Sequence, residues 1–177
     1  EVLVPSLTTY VTAASDHRRM YVATRTETNL AVVDLDESSA RPVSCGDSDR
    51  VCSAKYKRWK DPLAAERRLA LPRDAIAIAA GRAQDLIPDS DPALEGELLL
   101  VAHRGGHVSS FIDPGPGSEL LLQDVLALGP PGRPLLEPTG IVFDPTTHLA
   151  YVSIYARDLS ALSDKKVLGR VGLVSSG

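Results

Sequence analysis

Aromatic side chains are scarce in this chain: five tyrosines, two phenylalanines and one tryptophan make up 5% of 177 residues. Methionine occurs once. Any buried core must therefore be built mainly from Leu, Val, Ile and Ala. No apolar run approaches the roughly 20 residues of a membrane-spanning helix, so no transmembrane segment is expected. The opening residues do not form a charged-then-apolar secretion signal. An excess of positive charge is also missing. Lys and Arg number 19 against 23 Asp and Glu, for a net charge of -4, which argues against a nucleic-acid partner, since phosphate binding needs a clustered basic surface. Nucleophile elbow, Walker loop and dinucleotide fingerprint are all lacking, and no cofactor is expected. The chain opens on Glu1 rather than Met, as a processed protein or a piece of a longer one does.

What is present points to strands. Hydrophobic residues make up 44% and charged residues 24%, the balance of a globular protein. Glycine and proline number 13 each, natural for many short strands joined by turns. Three segments share one pattern: an apolar strand, a polar loop, a second apolar strand. They are Arg19–Arg25 with Asn29–Leu35, Glu97–Arg104 with His107–Asp113, and His148–Tyr155 with Lys166–Val174. The runs are short and rich in Val, Leu and Tyr, which reads as antiparallel hairpins rather than helices. In the first two units the second strand ends in Asp, at Asp34 and Asp113, directly before a polar turn. A further strand precedes each unit: Leu7–Thr12, Pro72–Ala79 and Pro138–Pro145. Apolar strands also follow the first two, at Arg67–Leu71 and Leu120–Leu128. The repeating unit is thus four strands, a-b-c-d, and a series of four-stranded antiparallel sheets is the pattern of propeller blades.

Pro138-Thr139-Gly140-Ile141-Val142-Phe143-Asp144-Pro145, followed by Leu149-Ala150-Tyr151-Val152-Ser153, resembles the YVTN-type β-propeller repeat. So does Met20-Tyr21-Val22-Ala23-Thr24-Arg25 running into Leu30-Ala31-Val32-Val33-Asp34-Leu35. The resemblance implies an all-β fold of four-stranded antiparallel blades, in a ring of roughly six to eight. This chain is expected to be one propeller-like domain over residues 1–177, forming a partial ring. Blade one covers about 5–71 with an insertion at 36–66, blade two about 72–128, and an incomplete blade three about 138–177. Three blades cannot close a ring without leaving an open strand edge, so a longer chain or further copies are expected to complete it.

The irregular stretches carry the candidate sites, because long loops on regular scaffolds are where contacts are usually built. The first insertion holds Cys45 and Cys52, read either as a local disulfide in an oxidising compartment or as two free thiols. It also holds Lys55-Tyr56-Lys57-Arg58-Trp59-Lys60, where Tyr56, Arg58 and Trp59 suggest an interaction loop or a plain exposed one. Arg25, Asn29, Arg104 and Tyr155 fall on one face, at the b–c ends of the blades, and are candidates for a binding mouth. His103 and His107 flank a Gly105-Gly106 turn and are weak candidates for a metal. Gly105-Gly106 also reads simply as a hairpin turn, and no third ligand accompanies the pair. Asp85, Asp89, Asp91 and Glu95 lie in a loop that could offer oxygen ligands to calcium, yet they lack EF-hand spacing. Ser109 and Ser110 read as ordinary strand residues.

Two functions follow as expectations. The first is a non-catalytic binding or scaffold propeller, exported to a bacterial periplasm or cell surface, contacting protein partners of a larger assembly through its inserted loops. The second is a propeller enzyme of lactonase or dehydrogenase type, with its site at the channel mouth.

Overall fold

The computed structural model describes residues 7–25, 30–35, 43–45, 52, 58–67, 69–86, 95–128, 136–156 and 169–171. The chain is mostly β, arranged as three open sheets. The first sheet contains β1 (Thr8–Ala13), β2 (Arg19–Thr24), β3 (Leu30–Leu35) and β4 (Val43–Ser44), paired in sequence order and antiparallel. The second runs β5-β9-β8-β7-β6, with β5 at Trp59–Lys60, β6 at Ala75–Arg82, β7 at Glu97–His103, β8 at His107–Asp113 and β9 at Leu120–Ala127. A single helical turn, α1 (Ala83–Leu86), follows β6. The third sheet contains β10 (Leu136–Asp144), β11 (Leu149–Ala156) and β12 (Gly169–Val171).

Period-two alternation decides how the sheets stack. Strands β7 and β8 are buried almost throughout, because each face of the second sheet has a neighbour. On one face Leu99, Val101 and Phe111 meet Tyr21, Ala23, Leu30 and Val32 of the first sheet. On the other, Leu100, Ala102 and Val108 meet Ile141, Ala150 and Val152 of the third. A strand covered on both sides reads as a continuous apolar run, and Leu98-Leu99-Leu100-Val101-Ala102 is such a run. Strands β1, β6 and β10 also lie side by side, β1 against β6 and β6 against β10. Thr9 Oγ1 donates to the Ala75 carbonyl at 2.6 Å across the first of these contacts.

The outer strands differ from the sequence expectation. Residues 67 and 69–71 belong to no strand, and the fourth strand of the first sheet is β4, inside the expected insertion. The end of that insertion is β5, which pairs in parallel with β9 on the outer edge of the second sheet. Burial is the reason. Trp59 stands edge-on to Phe111 at 6.4 Å between ring centroids, and Leu71 buries in the same cluster. The segment therefore stitches the first sheet to the second. Between β6 and β7 the chain must pass close to the end of β8. Gly96 has φ +127°, and a Cβ there would lie 2.2 Å from the Asp113 carbonyl oxygen, so only glycine fits.

Candidate functional site

Arg19 opens β2 opposite Asp34, the last polar residue of β3. Glu97 opens β7 opposite Asp113 at the end of β8. Stacking the first two sheets brings both pairs together at one end of the molecule. Arg19 is 1% exposed and is fully engaged. Its Nε donates to Asp34 Oδ1 at 2.5 Å, its Nη1 to Asp113 Oδ1, and its Nη2 to the Ser118 carbonyl at 2.8 Å. Arg58 Nη2 donates to Asp34 Oδ2 at 2.9 Å. Tyr21 donates its hydroxyl to Asp113 Oδ2, and the Gly115 amide donates to Asp113 Oδ1 at 2.8 Å. A planar guanidinium with several donors suits such a junction better than an ammonium would.

The electrostatics follow from this geometry. Burial alone would raise the Asp34 pKa, but hydrogen bonds from Arg19 and Arg58 outweigh it and hold the carboxyl below its ordinary value. Burial pushes the Tyr21 hydroxyl strongly up, reinforced by the neighbouring Asp113 carboxylate, so the phenol keeps its proton and acts as a donor. Two arginines and two aspartates thus neutralise one another across the sheet boundary.

A cleft of about 320 Å³ opens beside this network. Its wall includes Ala14 and Ser15 from the β1–β2 turn, Arg19 and Tyr21 from β2, and Glu97 from β7. Arg82, Gln84 and Glu95 stand at the rim, all exposed or partly so. Glu97 is 8% exposed. Its Oε1 accepts from the Ser15 amide at 3.1 Å and from the Ser15 hydroxyl, while its Oε2 is buried without a partner among the described residues.

The residues singled out from sequence lie elsewhere. Arg25, at the far end of β2, is exposed. Arg104 sits in the β7–β8 turn and pairs with Glu137 at 3.0 Å. Tyr155 is 60% exposed. All three lie at the opposite end of the strands from the cleft. Asn29 and Tyr56 lie outside the described residues. Arg58 and Trp59 are corrected from a displayed loop to interior positions, 6% and 8% exposed, because the salt bridge to Asp34 and the Phe111 contact draw them in. His103 and His107 face each other across their turn as register partners. His103 is 1% exposed. Its Nδ1 lies 3.3 Å from the Arg73 carbonyl and its Nε2 2.9 Å from Ser109 Oγ. A carbonyl can only accept, so Nδ1 carries the proton and Nε2 accepts from Ser109, an arrangement that occupies both ring nitrogens. Of the oxygen-ligand candidates, Asp89 and Asp91 lie outside the described residues. Asp85 belongs to α1, and its carbonyl is 2.8 Å from His148 Nδ1.

Cys45 and Cys52 form a disulfide with a Cα–Cα distance of 5.1 Å. Both are buried against Val22, Ala31 and Val33, on the face of the first sheet turned away from the second. A disulfide fits an oxidising compartment. Reduction is expected to lower the unfolding free energy by about 2 kcal/mol through the freed short loop, read as a lower urea midpoint with reductant than without.

The sequence contained one signal for the buried network. Asp34 and Asp113 end equivalent strands, and that repetition marks them as sharing a position. Arg19 and Tyr21 offered no comparable signal, because Asp113, the partner they share, comes from a different sheet. No protein-family model matches the chain, and no curated protein matches it either.

Proposed function

We propose that the chain is a run of three β-propeller blades of the YVTN type, acting as a non-catalytic binding or scaffold module outside the cytoplasm. The observation that carries the reading is the stacking. Three mainly antiparallel sheets lie face to face, with strands β1, β6 and β10 side by side, as the inner strands of blades do around a channel. Two of the side chains that would serve a channel-mouth enzyme have partners within the fold: His103 with a carbonyl and a hydroxyl, Arg104 with Glu137. The disulfide supports a periplasmic or cell-surface address. Val142 and Tyr155 stand 59% and 60% exposed on the third sheet. A further sheet, from the same polypeptide or another copy, would cover that face.

Light scattering on the purified 177-residue chain tests the proposal. Its open sheet face is expected to drive assembly into closed particles of two or more copies. A stable monomer of 18.9 kDa at micromolar concentration would sink it.

A further inference from the structure

The segment from β4 to β5 is fastened to one residue from both of its ends. On the main chain, Ser44 pairs with Asp34 across the β3–β4 ladder. On the side chain, Arg58 Nη2 donates to Asp34 Oδ2 at 2.9 Å. From Arg58 the chain crosses to the second sheet. The Arg58 carbonyl accepts from the Leu120 amide at 2.8 Å, Trp59 and Lys60 pair with Leu120 and Leu121, and the Trp59 ring meets Phe111 edge-on. β5 is two residues long, so its ladder is short and its hold depends on how readily its tether returns it to place. Loop-closure entropy rises with the length of such a tether. With the Cys45–Cys52 bridge closed, β4 and Arg58 are joined through the two cysteines and residues 53–57. With it open, the path runs through all of 46–57.

We infer that the Cys45–Cys52 bridge is a redox-sensitive control on the β5 latch: closing it shortens the tether that holds Arg58 and Trp59 between the first two sheets, and opening it loosens β5 from β9. Opening takes a dithiol reductant. One of its thiolates breaks the S–S bond by exchange, and its second thiol closes it into a cyclic disulfide. The two electrons and two protons it gives up leave Cys45 and Cys52 as thiols. The sulfurs pack against Val22, Ala31 and Val33, on the face of the first sheet turned away from the second, so the signal enters on one side of that sheet and acts on the other. Release of β5 uncovers the edge of β9, and an unpaired strand edge is a template for another strand. The inference does not depend on the propeller reading, because the link from bridge to latch is covalent.

Hydrogen exchange at the Leu120 amide reads the latch, since its acceptor is the Arg58 carbonyl. Exchange is expected to run at least about fourfold faster after reduction with dithiothreitol, from the longer tether. Cys45→Ala with Cys52→Ala, which needs no reductant, is expected to match the reduced chain. Two insertions in the oxidised chain separate the tether from a general loss of stability. A short Gly-Ser insertion within 53–57 lengthens the tether and is expected to speed Leu120 exchange about twofold. The same insertion within 46–51 lies inside the closed ring and is expected to leave the rate unchanged. Unchanged exchange on reduction, or an equal effect of the two insertions, overturns the proposal. The insertions keep the bridge, so their comparison stands even where the cysteine variant fails to fold.

Discussion

Arg19→Met is expected to destabilise the fold by about 3–5 kcal/mol, the scale of breaking one partner out of a buried ion pair. Arg19 donates to Asp34, Asp113 and the Ser118 carbonyl from a position 1% exposed. Removing it leaves Asp34 with Arg58 and the Gly117 amide, and Asp113 with the Tyr21 hydroxyl and the Gly115 amide. Small domains have total stabilities of roughly 5–15 kcal/mol, so the variant should unfold at far lower urea than the wild type. Arg19→Lys is expected to recover only part of the loss, because an ammonium cannot reach acceptors on two sheets and a loop at once. The decisive comparison adds Asp34→Asn and Asp113→Asn to Arg19→Met. If uncompensated charge is the cause, the triple variant regains stability over the single one. If the triple variant is less stable still, the network contributes through its hydrogen bonds and packing rather than through charge balance. Urea midpoints for the four proteins distinguish the two.

The second large effect is a loss of stability in mild acid, centred on His103. Burial is the main cause that lowers its pKa from 6.5 to about 4, with the nearby His107 acting in the same direction. The Arg73 carbonyl and Asp74 oppose the shift without cancelling it. Above the unfolded value, both folded and unfolded chains hold a neutral imidazole and the group contributes no pH dependence. As pH falls from 6.5 towards 4, the unfolded chain takes up a proton that the folded chain refuses, so stability declines. Below about 4 both states are protonated and this loss levels off. The total is about 3 kcal/mol, from the linkage of pKa to free energy. Asp34 acts in a separate, lower window. Its carboxyl is held below 3.8, so its contribution is present above that value and is lost only as pH falls through its folded pKa. Urea unfolding across the range reads the two windows apart. His103→Gln is expected to flatten the slope between 6.5 and 4 while leaving the steeper fall in stronger acid. An unchanged slope in the variant would place the acid sensitivity elsewhere.

Both effects arise where two sheets meet, and this explains what could be read beforehand. The β2–β3 and β7–β8 hairpins were legible because each is local. A strand's apolar alternation, its turn residues and its partner all lie within about 20 residues of one another, and period-two patterning survives any context. The unbroken apolar run from Leu98 to Ala102 also carried its own message, since a strand buried on both faces leaves no room for polar alternation. The outer strands were legible only in part. Arg67–Leu71 has the composition of a strand, yet residues 67 and 69–71 lie in none, while Val43–Ser44 and Trp59–Lys60, inside a stretch that reads as a polar loop, are the strands that pair. Edge strands this short have no periodicity to read, and burial of Trp59 on Phe111 outweighs local preference.

The residues of the candidate site show the same division. Sequence alone determined the β class of the chain, its hairpins, the closeness of Cys45 to Cys52 and the repeated Asp34 and Asp113 at equivalent strand ends. Only the tertiary structure decided that Arg19 bridges those two aspartates, that Arg58 and Trp59 turn inward, that His103 is a neutral interior residue, and that Glu97 is left with an unpaired oxygen beside a cleft. The physical reason is range. Strand patterning is set by neighbours along the chain, whereas charge pairing and desolvation depend on which sheet faces which. Arg19 and Asp113 stand 94 positions apart in sequence and become partners only when the sheets stack.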